Sequence, residues 1–348
     1  MSLFTVGVFT TLTCVFSLVR RFTAADRISP IMTFQVLSQD PDEVDMPPMW
    51  SAHHSRKSSG SDEGSGQGIF GLSASAVRSA LAISADAAGL PAALVKTLSR
   101  GVRNETSAVS LYAPRTIINK KITSARRFAA EDWSMERIKA VGKASGTTVN
   151  DVVLAMCSGA MRTYLTELDA LPDASLVAMV PVGLQAKESQ SASASGGNAV
   201  GAVMVKLGTD LADPADRLEV IHRSMVDGKQ ALGTMTPTQI LAMSALGLAP
   251  AVLAPILRMQ GLTRPPFNLV ISNVPGPRKP HYFNGARLEG VYPLSIPIHG
   301  MGLNITCTSY DGQMDFGLTG CRRTVPRLQR LLTHLDDELT GLEKAAGV

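Results

Sequence analysis

The sequence TVNDVVLA, residues 148–155, begins the most regular helix that this chain predicts. Apolar residues recur from there at helical spacing as far as Leu168. Thr148 and Asp151 have the spacing of a capping box, in which each side chain bonds the other residue's backbone N–H group. Asn150-Asp151 therefore has two interpretations: a helix cap alone, or a pair whose Asn150 amide faces a pocket at the start of the helix.

Strands and helices alternate irregularly on both sides of this helix. Upstream, Asp132 or Ser134 caps a short helix that ends near Lys143. Asp311-Gly312 has the composition of a type I′ hairpin turn. The other predicted elements are strands at 176–182, 199–207, 267–274, 286–292, 303–309 and 314–318, and helices at 214–232, 238–259 and 325–343. Because there is no strict βα repeat, this order predicts an α/β sandwich with a mixed sheet.

Two apolar stretches have alternative interpretations. Residues 3–19 carry no charged side chain and precede Arg20-Arg21. Their length is at the lower edge of a membrane span, so they are either an anchor or a buried or interfacial element. Residues 240–257 are also uncharged, but Pro250 and Pro255 argue against a straight membrane span. They form either a buried helix or a surface that contacts lipid or an apolar substrate.

The composition is that of a globular protein. The 348 residues are 45% hydrophobic and 18% charged, and the formal net charge is +4. No dense basic stripe with interleaved aromatic residues occurs, so nucleic acid is not an expected partner. The four cysteines are far apart and show no Cys/His spacing, which argues against a disulfide framework or a zinc site.

Common catalytic motifs do not occur in the sequence. No GxGxxG follows a predicted strand, there is no P-loop or GxSxG elbow, and no histidine pair has HExxH spacing. His53-His54 is not an HHxxxDG motif, because Ser58 and Ser59 occupy the positions of the Asp and the Gly. The pair also lies in the Ser- and Gly-rich stretch 51–68, where a catalytic base would not be held in place.

Five segments, in chain order, carry a resemblance to a known family. They are TVNDVVLA (148–155), VPVGL (180–184), SNVPGP (272–277), LNIT (303–306) and DFG (315–317). Together they resemble the C-terminal half of the bacterial wax ester synthase/acyl-CoA:diacylglycerol acyltransferase family, over residues 110–345. Residues 31–50 resemble the family's segment just after its catalytic motif.

The resemblance implies a fold similar to chloramphenicol acetyltransferase, with two α/β lobes and an active-site tunnel between them. In that family the second His of HHxxxDG takes the proton of the acceptor hydroxyl, which attacks the acyl-CoA thioester. No metal and no cofactor are implied, since acyl-CoA is a substrate. Asn150 and Asp151 would support the active site. The implied substrate-binding residues are Ser272, Asn273, Pro275, Gly276 and Asn304.

The sequence departs from the family's pattern before residue 31, where AADRISP (24–30) contains no histidine. We therefore expect a chain that lacks the HHxxxDG lobe and its catalytic base. General base catalysis contributes a factor of about 10²–10⁴ to the reaction rate, so this loss would be large. The expected organisation is an apolar N-terminal segment (1–30), a remnant of the segment after the motif (31–50), a Ser/Gly-rich linker with helices (51–110), and a C-terminal acyltransferase lobe (111–348).

The expected function is acyl-CoA-dependent O-acyl transfer of the diacylglycerol acyltransferase/wax ester synthase type, by a chain that is incomplete and inactive alone. Its expected partners are acyl-CoA, an alcohol acceptor such as diacylglycerol, an HHxxxDG-bearing lobe in trans, and a membrane or lipid surface. The expected location is cytoplasmic, with association to membranes or lipid droplets. The alternative is a noncatalytic lipid- or membrane-associated module, or a relic of a split gene.

Overall fold

The computed structural model describes residues 37–44, 113–183, 200–233 and 264–348. Within these ranges, no helix is both long and apolar enough to cross a membrane. Several sequence predictions lie outside the described residues, namely the apolar segment 3–19, the stretch 51–68 with His53-His54, the helices of the 51–110 segment and the apolar stretch 240–257.

The described elements follow one another as expected for a mixed α/β protein. A 3₁₀ turn at Ile117–Asn119 precedes the first strand. The strands and helices are then β1 (Arg126–Ser134), α1 (Met135–Ser145), α2 (Val149–Glu167), β2 (Val177–Gly183), β3 (Val200–Lys206), α3 (Pro214–Gly233), β4 (Leu269–Val274), β5 (Tyr282–Phe283), β6 (Ala286–Arg287), β7 (Leu303–Tyr310), β8 (Gln313–Cys321) and α4 (Arg330–Ala346).

Six of these strands form one mixed sheet in the order β1-β8-β7-β4-β2-β3. The pairs β7–β4 and β4–β2 are parallel, whereas β1–β8, β8–β7 and β2–β3 are antiparallel pairs. This sheet confirms the predicted α/β sandwich. The short strands β5 and β6 form a separate hairpin, and Ser38 pairs with Tyr282 there, which attaches residues 37–44 to the fold.

The four helices of the described ranges pack on one face of the sheet, which we call the helix-covered face. Its core is apolar and continuous from α2 to the middle strands, where alternate residues such as Leu303, Ile305 and Cys307 lie buried. Trp133 of β1 packs edge-to-face on Phe316 of β8, with ring centroids 4.9 Å apart. Burial of this apolar surface contributes on the order of 25 cal/mol per Å² to folding.

The other side of the sheet, called here the opposite face, is covered differently. A smaller apolar cluster that includes Met179, Met204 and Val270 lies over β2, β3 and β4. Over β7 and β8 the cover is a non-helical segment, residues 291–298, which we call the strap. The strap passes so close to β8 that a Cβ at Gly317 would overlap the Pro293 carbonyl oxygen.

Three predictions about local structure are wrong. Strand β1 was not predicted, and Asp132 lies inside it, so Ser134 alone caps α1. The predicted strand at 286–292 is limited to Ala286–Arg287, because Val291 and the residues after it cross the sheet as the strap. Helix α4 begins at Arg330, five residues later than predicted, because Arg327 has a left-handed φ of 53° and interrupts the helix.

Most of the other boundaries agree with the prediction to within one or two residues. The α2 prediction, 148–168, compares with Val149–Glu167 in the structure. The Asp311-Gly312 turn is confirmed, because both residues have positive φ, 40° and 85°, as a type I′ turn requires.

Candidate active site

The start of α2 is built by a reciprocal pair of hydrogen bonds. The Thr148 hydroxyl accepts from the Asp151 backbone N–H at 3.3 Å, and the Asp151 carboxylate accepts from the Thr148 N–H at 2.9 Å. This is the predicted capping box, which satisfies two N–H groups that the first helical turn otherwise leaves unpaired. The structural interpretation of Asp151 is therefore confirmed.

Asp151 also makes a contact that helix capping does not require. The same carboxylate oxygen, Oδ2, lies 2.8 Å from Nδ1 of His222 on α3. The Asp151 side chain is 2% exposed, while that of His222 is 34% exposed. The second carboxylate oxygen, Oδ1, is buried and has no hydrogen-bond partner within the residues that the structure describes. His222 is therefore a second partner for the buried Asp151 carboxylate, which would otherwise contact only the Thr148 backbone N–H.

Asn150 contacts the same helix one turn further along. Its Nδ2 lies 4.0 Å from Sδ of Met225 on α3. Sulfur is a weak acceptor and this distance is at the long end of the range, so the described part of the chain offers the amide only a weak partner. A partly buried amide of this kind can donate to a carbonyl oxygen or to an imidazole nitrogen.

The SNVPGP segment forms the end of β4 and a tight turn. Ser272 is buried, and the side chain of Ser309 on β7 accepts from the Gly276 N–H at 3.1 Å. A Cβ at position 276 would overlap the Ser309 carbonyl oxygen, so glycine is needed for this close approach. The Asp311 N–H donates to the Pro277 carbonyl at 3.2 Å, which joins the turn to the β7–β8 hairpin.

Asn304 lies on the opposite face, in a cluster of buried polar side chains. The Thr306 hydroxyl donates to Asn304 Oδ1 at 3.0 Å and lies 2.6 Å from the Ser295 hydroxyl of the strap. In the described ranges the Asn304 side-chain nitrogen has no hydrogen-bond partner, although the residue is 0% exposed. The hydroxyl of Thr319, its cross-strand neighbour, likewise has no partner in the part of the chain that the structure describes. Buried donors without a partner are rare, which marks this cluster as unusual.

Two acids near the strap complete the polar part of this face. The Asp315 carboxylate accepts from the Val291 N–H at 2.6 Å, and Asp132, its cross-strand partner, accepts from the Tyr292 hydroxyl at 2.8 Å. Burial raises the pKa of Asp315 to about 6, with a further rise from Asp132 and an opposing effect of the Val291 hydrogen bond. The hydrogen bond to Asp132 is the main reason that the pKa of Tyr292 rises to about 12.

The structure brings the candidate residues together in two groups rather than one. Asn150 and Asp151 lie against α3 in the helix layer. The second group follows β4 and β7, and it consists of Ser272, Asn273, Pro275, Gly276 and Asn304. Within the described part of the chain, the hydrogen bonds of the first group do not reach the second. His222 and the Asp132–Asp315 pair were not predicted, because only the fold brings these distant positions together.

A solved structure shows the same architecture. The wax ester synthase/diacylglycerol acyltransferase from Marinobacter aquaeolei VT8 matches with a TM-score of 0.65 and 41% sequence identity, over 91% of this chain and 65% of that protein. The fold is therefore that of the chloramphenicol acetyltransferase-like acyltransferases. This agreement confirms the predicted fold class.

Family models and curated relatives lead to the same group of proteins. Residues 29–153 match the wax ester synthase/diacylglycerol acyltransferase catalytic domain, and residues 196–343 match the WS/DGAT C-terminal domain. A probable diacylglycerol O-acyltransferase of Mycobacterium tuberculosis is 43% identical over 90% of this chain and 66% of its own length. The O-acyltransferase WSD of Acinetobacter baylyi is 44% identical over 69% of this chain and 51% of its own length. The chain belongs to the wax ester synthase/diacylglycerol acyltransferase family.

The extent of the resemblance needs one correction. The five motifs predict a resemblance over 110–345, with 31–50 as an isolated remnant, whereas the catalytic-domain match runs continuously from residue 29 to residue 153. The chain thus includes part of the catalytic domain as well as the C-terminal domain. It spans about half to two thirds of the length of the relatives named above. The HHxxxDG motif does not occur in its sequence.

Proposed function

We propose that this chain acts in acyl-CoA-dependent O-acyl transfer, with diacylglycerol or a fatty alcohol as acceptor. The observation that carries the proposal is the match of both family domains in chain order, at 29–153 and 196–343. The names of the relatives, diacylglycerol O-acyltransferase and wax ester synthase, support this acceptor class. Because such acceptors are lipids, we also propose that the chain works at a membrane or lipid-droplet surface.

The reaction joins an alcohol to an acyl group. The acceptor oxygen attacks the thioester carbonyl carbon, a C–O bond forms, the C–S bond breaks, and the hydroxyl proton passes to a general base before it reaches the CoA sulfur. We propose that this base is supplied by an HHxxxDG-bearing lobe acting together with this chain. The chain alone would then position substrates without completing the proton transfer.

We propose that Asn150 is the residue of this chain that supports the catalytic base. Its amide is partly buried at the start of α2 and contacts its neighbours only weakly, through Met225. An amide N–H in this position can donate to a carbonyl oxygen or orient an imidazole, as the resemblance implies. Ser272, Asn273, Pro275, Gly276 and Asn304 remain candidates for the acyl or acceptor binding surface.

The test is acyl transfer from labelled long-chain acyl-CoA to diacylglycerol and to a fatty alcohol. The purified chain is assayed alone and together with an HHxxxDG-bearing N-terminal lobe from a relative. We expect product only with both components, and about a tenfold or greater loss with Asn150→Ala, since misplaced catalytic groups cost this much or more. Arg223→Leu, on the solvent side of α3, is the matched control and should retain activity.

Two outcomes would contradict parts of this proposal. If no combination of chain and lobe forms product, the acyltransferase function is wrong and a noncatalytic lipid-associated role is favoured. If the chain forms product alone, the acyltransferase function stands, but the base resides in this chain and the trans arrangement is wrong.

A further inference from the structure

The contacts of α3 with the start of α2 assign a role to a residue outside the motifs. We propose that His222 is a positioning residue: it holds Asp151 and thereby fixes the direction of the neighbouring Asn150 amide. This inference rests on the proposed function of Asn150. His222 itself is not assigned any contact with substrate.

The first step is the dependence of Asp151 on His222. One carboxylate oxygen accepts from the Thr148 N–H at 2.9 Å and lies 2.8 Å from His222 Nδ1, while the other has no partner among the described residues. We assign the donor role to Nδ1 of His222, because the same carboxylate oxygen already accepts from the Thr148 N–H. A carboxylate that is 2% exposed is costly to bury without such a donor. Loss of His222 would therefore favour rearrangement of the first turn of α2.

The second step is that α3 is itself fixed in place. Arg217 of α3 forms an ion pair with Glu338 of α4 at 2.5 Å, and both side chains are at least nine-tenths buried. Further along α3, the Ser224 hydroxyl accepts from the Lys206 N–H at 3.3 Å. Gly228 lies so close to Val203 of β3 that a Cβ would overlap its side chain. The part of α3 that carries His222 is therefore fixed on both sides, by Arg217 before it and by Ser224 and Gly228 after it. This allows His222 to hold Asp151 in a fixed position.

The third step connects this support to Asn150. His222 and Met225 are three residues apart, so they lie on the same face of α3. His222 holds Asp151, and Met225 contacts the Asn150 amide at 4.0 Å. Both members of the Asn-Asp pair therefore contact one face of one helix. The weak Met225 contact alone would leave the amide poorly oriented, so the strong contact to Asp151 determines the geometry.

The experiment measures the Asn150 side-chain amide directly, by ¹H–¹⁵N NMR of the full chain, with Asn150→Asp to assign its signals. We expect these signals to shift or broaden in His222→Leu and in His222→Gln. They should return near their original positions in His222→Asn, because an asparagine amide N–H replaces Nδ1–H whereas a glutamine amide replaces the other ring nitrogen. Arg223→Leu should leave them unchanged. If His222→Leu does not fold, the comparison of His222→Gln with His222→Asn still shows whether His222 positions the Asn150 amide.

Kinetics with the HHxxxDG-bearing lobe supply the second readout. His222→Gln should lower kcat about tenfold with the KM for acyl-CoA unchanged, and His222→Asn should restore it, because positioning acts on the transition state. Unchanged Asn150 signals in both His222→Leu and His222→Gln would overturn the inference, as would failure of His222→Asn to restore them. If no variant transfers acyl groups, the proposed function fails, while the amide signals still decide whether His222 positions Asn150.

Discussion

The two faces of the central sheet bury their residues in opposite ways. The helix-covered face is a continuous apolar core in which Ile305 and Phe316 pack below the helices. On the opposite face, the same two strands carry Asn304, Thr306 and Asp315, all nearly inaccessible to solvent. Consecutive residues of one strand therefore alternate between an apolar core on one face and a buried polar cluster on the other. The comparison indicates that the helix-covered face provides most of the stability, whereas the opposite face retains polar groups that stability alone does not explain.

The largest effect that distinguishes the two faces should come from the glycines of β8. Gly317→Ala should destabilise the protein by about 3 kcal/mol, because its Cβ would meet the rigid Pro293 backbone and displace the strap. Gly320→Ala, on the same strand, would place its Cβ 3.1–3.2 Å from the Leu328 and Val325 side chains, a much milder overlap that should cost less. Urea unfolding of both variants measures the difference. An equal loss in the two would show that the strap is not held closely against β8.

A smaller effect should appear as a dependence on pH. Burial raises the pKa of Asp315 to about 6, so the folded state keeps a proton that the unfolded state loses near pH 4. The stability contributed by this proton is present at low pH and declines as pH rises from about 4 to about 6. Asp315→Asn removes this titration, and its stability relative to the natural chain should increase by about 2 kcal/mol across the same window.

Urea unfolding at a series of pH values checks this prediction. Asp132→Asn is the matched variant, because it keeps an acceptor for Tyr292 and removes the charge that helps to raise the pKa of Asp315. Asp132→Asn should narrow the pH range over which the stability declines, because the pKa of Asp315 would rise less. A stability difference between Asp315→Asn and the natural chain that stays constant from pH 4 to pH 8 would show that Asp315 does not titrate in this range.

The smallest effect concerns the unpartnered hydroxyl of Thr319. Thr319→Val replaces a buried hydroxyl that has no hydrogen bond with a methyl group of similar shape. The variant should be within about 0.5 kcal/mol of the natural chain or slightly more stable, because no hydrogen bond is lost. Thermal unfolding measures this. A loss above about 1 kcal/mol would mean that the hydroxyl has a partner, such as an ordered water, in solution.

The sequence predicts those features that depend on neighbouring residues. The capping box of Thr148 and Asp151 and the Asp311-Gly312 turn are local, and both are confirmed. The sequence does not predict strand β1, because charged residues interrupt the alternation of apolar and polar residues that is typical of a strand. These residues are Arg126, Arg127, Glu131 and Asp132. Their strand conformation depends on pairing with β8. Edge strands often carry such charges.

The candidate site was predictable only in part, for the same reason. The Asn150–Asp151 pair is visible in the sequence, but its partner His222 lies on another helix and no spacing connects them. The strap likewise depends on contacts between residues 291–295 and β8 or β7, and its sequence resembles that of a strand. Tertiary contacts decide both cases.

The pairing of the first strand with the last has a consequence for folding during synthesis. Arg126 of β1 pairs with Cys321 of β8, so these partners are separated by 321 − 126 = 195 residues. At about 5–20 residues per second, β8 is synthesised on the order of ten to forty seconds after β1, its neighbour in the sheet. Such long-range pairing makes the closing step slow. Trp133 contacts Phe316 only when β1 and β8 join, so its fluorescence reports that step of folding.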